Sequence, residues 1–425
     1  MTDNTTGKKL LILGGASHHY KVVKTAQEMG VYTLCTDYAE NSPAKKIANE
    51  SYMLDVKDTE AIIDICRREN VDGVLNVYLD PCQRPYQRIC ESLNYPCFGN
   101  HQQFSVLTDK KIFKEFCQLN GVEVIPEYDY EAIEDDNFNM EFPVLVKPVD
   151  SRGSRGQTIC RDIAEIRRAV LFAKEHSNIQ GVLLEKYMGC DNDLMVSYLV
   201  VDGEPHLIRI TDRYLGHPAD CLERVAIAAL TPSRFTRFYL NNTNDKVKRM
   251  IRNLGIINGP VFMQGFVDDD VVRFYDPGLR LPGSEFEFLL KKVSKIDVVK
   301  MLVEFALTGS MSNDLNDFPD PLHLDGQLVF SLYPMVKAGI IHRITGIDAI
   351  KAIEDVVAIS QNYKEGDEVF QTNDTRQRFC AIDLIAPSLK TLKASLELIQ
   401  VELGALDENG DNLIYGFFDT SRLVV

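Results

Sequence analysis

The first hundred residues alternate short apolar runs with amphipathic stretches, and this alternation constrains the fold more than any other feature of the chain. Residues 9–13 and 31–36 are apolar runs joined by a helical pattern over 17–29. Residues 58–70 are amphipathic, 71–78 apolar and 82–93 helical again. Strands that alternate with crossover helices run parallel, so this region predicts a Rossmann-like doubly wound sheet with ligands at the carboxyl ends of its strands.

The pattern changes after about residue 120. Residues 142–149, 157–161, 181–188, 194–202 and 205–211 are closely spaced strand candidates, interrupted by one helix at 163–176. That spacing predicts an antiparallel sheet with helices on one face. A helix over 235–254 leads to strands at 261–267 and 271–275, joined by the Asp268-Asp269-Asp270 turn, and then to one long helix over 285–307. Short β-like runs return at 328–333, 340–344, 356–359 and 379–385, followed by an amphipathic helix at 389–403. The fold class is therefore α/β with α+β, in three lobes: residues 1–105, 106–320 with a lid over about 120–188, and 321–425, the last boundary falling in the polar stretch 313–325.

Composition narrows the partners. The 425 residues carry 46 basic and 62 acidic side chains, a formal charge of −16, which repels a phosphate backbone and an anionic membrane surface alike. The ten cysteines form no C-x-x-C pair and lie mostly in apolar stretches, as expected of reduced, buried thiols. Residues 1–9 lack a signal-peptide pattern and no uncharged apolar run reaches membrane-span length, so a cytoplasmic protein is expected.

Two segments could cradle phosphate. Gly14-Gly15-Ala16-Ser17-His18-His19 follows the first strand but lacks the third glycine of a dinucleotide fingerprint, so Gly14 and Gly15 read as a tight turn and Asp37 carries no nicotinamide site. Phe142-Pro143-Val144-Leu145-Val146-Lys147-Pro148 is more informative. A lysine within an apolar strand needs an anionic partner, and the loop that follows, Ser151-Arg152-Gly153-Ser154-Arg155-Gly156, can wrap backbone N–H groups around phosphate oxygens.

In order and spacing these motifs resemble the ATP-grasp superfamily. The resemblance implies that Lys110, at the start of a helix after Thr108-Asp109, and Lys147 are two phosphate-binding lysines, with Ser151, Ser154, Arg155 and Gly156 on the loop over the triphosphate. It makes 183–189 the hinge that reads adenine, with Glu185 and the backbone of Lys186 and Tyr187 in contact, and Asp193, or alternatively Asp191, the ribose acid. Gln264 and Asp276 become the magnesium ligands on paired strands, and Arg280 the catalytic cation that holds an acyl-phosphate. Glutamine at the first of these positions occurs in the family's carbamoyl phosphate synthetase branch. Gly278 stands where the family has asparagine.

The resemblance implies ATP and Mg2+ as cofactors and small carboxylate and amine substrates, with no nucleic acid or membrane partner; a homodimer is the assembly considered. The reaction implied is attack of a carboxylate on the γ-phosphate, then displacement of phosphate by an amine, chemistry that needs positioning and charge neutralisation rather than a protein nucleophile. Bicarbonate activation and a non-catalytic nucleotide-binding relative are the rival readings. Arg209, Arg213, Arg280 and Arg343 are candidates to gather around a substrate carboxylate. His18, His19, His217 and His342 have no metal-ligand spacing and read as packing or surface groups.

Overall fold

The computed structural model describes residues 4–130, 140–149, 156–177, 180–189, 193–217, 225–311 and 324–424. Its amino-terminal part is a parallel sheet in the order β3-β2-β1-β4, built from β1 (Lys9–Leu13), β2 (Tyr32–Thr36), β3 (Glu50–Tyr52) and β4 (Gly73–Leu75). Helices α1 (Ser17–Glu28) and α2 (Thr59–Glu69) are the crossovers between its strands, and α3 (Gln83–Leu93) follows the last of them. Each forms where the sequence places its apolar face: in α2, Ile62, Ile63 and Cys66 are buried, Asp58 accepts from Ala61 N at the start, and Asn70 ends the helix in the left-handed region. Helix α4 (His101–Val106) leads to α5 (Lys110–Leu119), whose cap Asp109 accepts from Lys111 N and Ile112 N and so fixes Lys110 at the first helical position.

Next come the strands of a four-stranded lid in the order β5-β8-β6-β7: β5 (Glu127–Tyr128), β6 (Val144–Pro148), β7 (Thr158–Cys160) and β8 (Val182–Lys186), with α6 (Ile163–Glu175) across one face. The main sheet has eight strands. It contains β9 (Asp193–Val201), β10 (Glu204–Leu215), β11 (Ala226–Thr231), β12 (Gly259–Asp268), β13 (Val271–Gly278) and β14 (Leu328–Leu332). In the last hundred residues short strands β15 (Met335–Val336), β16 (Gly339–Ile340) and β17 (Arg343–Thr345) precede α11 (Ile347–Lys351), β18 (Val356–Gln361), β19 (Glu368–Val369), β20 (Cys380–Ala386) and α12 (Leu389–Glu402). The strand order β13-β12-β9-β10-β11-β14-β20-β18 carries one sheet from residues before 320 into residues after it.

Three features depart from the sequence expectation. Strand β11 was not foreseen. The stretch 235–254 is two helices, α7 (Thr236–Asn242) and α8 (Asn244–Leu254), meeting at Thr243. The stretch 285–307 is also two, α9 (Phe286–Ser294) and α10 (Val298–Thr308), because Lys295 takes φ 64° and Asp297 caps a fresh helix through Lys300 N. This break lets α10 turn back onto the parallel sheet. It packs so closely on β4 that a side chain at Gly73 would lie 2.1 Å from the Ala306 carbonyl oxygen.

Candidate active site

The lid and the main sheet enclose a cleft of about 320 Å3 whose wall includes Lys110, Lys147, Gln264, Asp276, Arg213 and Arg280. Lys147 comes from β6, where the sheet register sets it opposite Leu183 and the side chain points away from the lid core. Its Nζ lies 2.5 Å from Glu185 Oε2 and 5.7 Å from the centre of the Tyr275 ring on β13. Burial, assisted by Lys110 and Lys114, lowers its pKa to about 8 against the pull of Glu185. Burial would raise Glu185, but Lys147 and Lys114 outweigh it and hold the carboxyl below its ordinary range. The two groups therefore form a buried ion pair.

Across the cleft, β12 and β13 pair so that Gln264 stands directly opposite Asp276. Gln264 Oε1 accepts from the Tyr275 hydroxyl at 3.0 Å, and Asp276 Oδ1 lies 3.5 Å from Lys110 Nζ. Two hard oxygens on neighbouring strands fit magnesium, which is ordinarily held by one or two protein oxygens together with phosphates and water. Gly278 lies two residues beyond Asp276, and no longer side chain fits there: a Cβ would sit 2.1 Å from the Phe262 ring. That ring underlies the Arg280 guanidinium at 4.6 Å. The position where the resemblance leads one to expect asparagine is here closed by an aromatic platform for the arginine.

Arg280 is also gripped by Asp80, whose Oδ2 accepts from Nη2 at 2.6 Å, while Nη1 donates to the Leu281 carbonyl at 2.7 Å. Asp193, at the start of β9, has its carboxylate 2.8 Å from Arg213 Nη1 and 3.5 Å from the Tyr275 hydroxyl. Burial raises its pKa to about 7, opposed by Arg213 and Tyr275. The hinge amides are occupied as well: Lys186 N donates to Pro126 O at 3.0 Å and Tyr187 N to Pro143 O at 3.2 Å, and the Lys186 ammonium turns to Asp268 at 3.3 Å. Both hinge residues nonetheless line the cleft, with Met188 and Gly189.

Of the loop residues, Gly156 is buried with φ +67°, a Cβ there would lie 2.8 Å from Pro148 and 2.7 Å from His176, and its neighbour Gln157 lines the cleft. Ser151, Ser154, Arg155 and the alternative ribose acid Asp191 lie outside the described residues. Gly15 N donates to Asp37 Oδ2 at 2.7 Å, so Asp37 holds the glycine turn. His18 and His19 pack edge-on against Tyr78, and burial lowers the pKa of His18 to about 4. Asp269 and Asp270 form the left-handed turn between β12 and β13. Arg213 and Arg280 reach the cleft, Arg209 is buried with Nη1 on Ser284 Oγ, and Arg343 is exposed on β17.

Sequence reasoning passed over Asp80, Lys114 and Tyr275. Asp80 had a readable signal, an acid just past the carboxyl end of β4, where such sheets bind ligands. Lys114 and Tyr275 had none, because their partners are far apart in sequence. Eight cysteines are described, all with free thiols and only Cys97 not fully buried. No helix among the described residues is long and apolar enough to cross a membrane.

Residues 10–81 match the family described as PylC-like, N-terminal domain, and residues 109–217 match Carbamoyl-phosphate synthase L chain, ATP binding domain. A formate-dependent phosphoribosylglycinamide formyltransferase of Methanocaldococcus jannaschii is 24% identical over 353 residues, 75% of this chain and 85% of the relative. Further formyltransferases of that name match over about half of their own length, as in Wolinella succinogenes, 25% identical over 44% of this chain and 49% of the relative. Among solved structures, an L-amino acid ligase from Bacillus licheniformis superposes with a TM-score of 0.78 at 19% identity, over 95% of this chain and all of that one. The biotin carboxylase domain of the Hydrogenobacter thermophilus 2-oxoglutarate carboxylase, solved with MgADP and bicarbonate, gives 0.72 at 18% identity over 92% of this chain and 89% of that one. With this fold, these matched segments and this cleft, the chain has the ATP-grasp fold, and residues 109–217 form an ATP-binding domain of the carbamoyl-phosphate synthase L chain type.

Proposed function

We propose that the protein activates a small carboxylic acid or amino acid as its acyl-phosphate and joins it to an amine, forming an amide-like bond and releasing ADP and phosphate. The observation that carries this reading is the convergence of Lys110, Lys147 and the Gln264–Asp276 oxygen pair on one cleft, whose lining also includes Arg280. The lysines bind the triphosphate, and the hinge from Lys186 to Met188 encloses adenine. Magnesium, when bound at Gln264 and Asp276, supplies charge neutralisation between the phosphates. Arg280, held flat by Phe262 and aimed by Asp80, meets the charge that develops on the transferring phosphoryl group. Glu185 acts as the counter-ion of the lysines. Ribose recognition by Asp193 and triphosphate cover by Ser151, Ser154, Arg155 and Gly156 complete the assignment.

The test is ADP release over a panel of amino acids and amines. Turnover with a defined acid and amine supports the reading, and Arg280→Ala is expected to lower kcat by roughly 10²-fold or more with little change in ATP affinity. A rise confined to the KM of the acid would move Arg280 from catalysis to substrate binding. ATP binding without ADP release under any mixture would leave a nucleotide-binding relative without catalysis, the alternative favoured by the closed Gly278 position. ADP release with bicarbonate alone would favour the carboxyphosphate route.

A further inference from the structure

Lys114 sits one helical turn after Lys110 on α5, yet it does not line the cleft. It is almost fully buried and points under the lid, where Nζ donates to the Ile125 carbonyl at 3.1 Å, meets Glu127 Oε1 at 2.6 Å and binds Glu185 Oε1. The register of β5 on β8 places Glu127 directly opposite Glu185. Two carboxylates in that relation repel, and Lys114 is the cation between them. Glu185 has two oxygens: one goes to Lys114 and the other to Lys147. Without Lys114, Glu185 would be free to rotate and close both oxygens on Lys147, and the Glu127 charge would push it that way.

Lys114 also joins two bodies. Helix α5 belongs to the scaffold that packs on β13, where Phe274 N donates to Glu123 O at 3.0 Å and Ile125 N to Phe274 O at 3.1 Å. Glu127, Glu185 and Lys147 all belong to the four-stranded lid. A single ammonium therefore sets both the seat of the lid and the share of Glu185 that Lys147 receives.

We propose that Lys114 is a positioning residue for the phosphate-binding lysine: by claiming one oxygen of Glu185 and screening Glu127, it keeps Lys147 available to the triphosphate. This rests on the reading of the cleft as an ATP site. The experiment compares Mg2+·ATP with adenosine, which reads the hinge but carries no phosphate, by calorimetry on the full chain. Lys114→Met is expected to weaken ATP binding roughly 10- to 100-fold, the range of a lost charged hydrogen bond, with adenosine unchanged. Lys114→Arg, which keeps the cation, is expected to stay within a few-fold of wild type.

An equal loss of ATP and adenosine binding would show a structural role only, and unchanged ATP binding would show none; either overturns the proposal. Should Lys114→Met fail to fold, Glu127→Gln serves, since Glu127 is outside the cleft wall and about one-third exposed. It leaves Lys114 wholly to Glu185, so ATP should bind more tightly with adenosine unchanged, and no gain overturns the proposal. A wild-type chain that binds adenosine and ATP equally would remove the ATP-site reading itself, a result distinct from any difference among the variants.

Discussion

At the residue scale, the cleft depends on cations held at a cost. Lys147 has its pKa lowered to about 8 from the usual 10.5, burial being the main cause, so it loses its charge near the top of the physiological range. A neutral amine has little to offer a triphosphate. ATP affinity is therefore expected to fall as pH rises through about 8, and Lys147→Arg, which stays charged, is expected to flatten the profile. Stability of the ligand-free protein should move the other way. The unfolded chain binds more protons between about 8 and 10.5, so unfolding becomes harder with rising pH across that window. Calorimetric affinity and denaturant midpoints, measured from pH 7 upward, check both slopes, and parallel slopes would falsify the assignment to Lys147. That this lysine needs an anionic partner was legible from its place in an apolar strand, and the partner in the structure is Glu185. The sharing of Glu185 with Lys114 was not, because 71 residues separate Lys114 from Glu185 and pairing across folded elements leaves no local pattern.

At the element scale, the β12–β13 hairpin carries the facing Gln264 and Asp276 oxygens, the arginine platform and the closed position at Gly278. The Phe262 ring fills the volume that a side chain at 278 would need. Gly278→Ala is thus expected to destabilise by about 1–3 kcal/mol through overpacking. Phe262→Ala should cost about 3–5 kcal/mol through the cavity it leaves. The double variant should cost clearly less than the sum, since the new methyl enters the space the ring vacates. Additive denaturation energies would show that the two positions do not compete. The strands themselves were readable from their apolar runs and the Asp-rich turn between them. The breaks at Thr243 and Lys295 were not, because the apolar periodicity continues through both and only the cap at Asp297 marks the second. Strand β11, Ala226–Thr231, is rich in alanine and gains its burial from neighbours on both sides rather than from any β-branched pattern of its own.

At the scale of the whole molecule, the last hundred residues look in sequence like an appendage and are built in the structure as a continuation of the main sheet. Strand β14 pairs with β11 through Ala228 to Thr231, and β20 extends the ladder. Their hydrophobic cluster mixes Tyr214, Ile227, Ala228 and Leu230 from before the junction with Phe330, Ile382, Leu384 and Leu396 from after it. Thr375 and Arg378 from this lobe also reach the cleft wall, the latter stacked on Tyr333 at 3.9 Å. A core shared in this way cannot be divided without exposing apolar surface, and cutting here would leave β11 as an unpaired edge, a template for aggregation. A chain ending at residue 311 is therefore expected to be insoluble or to lose cooperative unfolding, and to bind Mg2+·ATP far more weakly than the full chain. Co-expression with the separate segment 324–425 should recover part of the soluble protein, because the missing strands can pair with β11 in trans. Expression, thermal unfolding and nucleotide binding of the two forms check this. A soluble 1–311 fragment that unfolds cooperatively and binds ATP as the full chain does would show that the shared sheet is not what holds the cleft together.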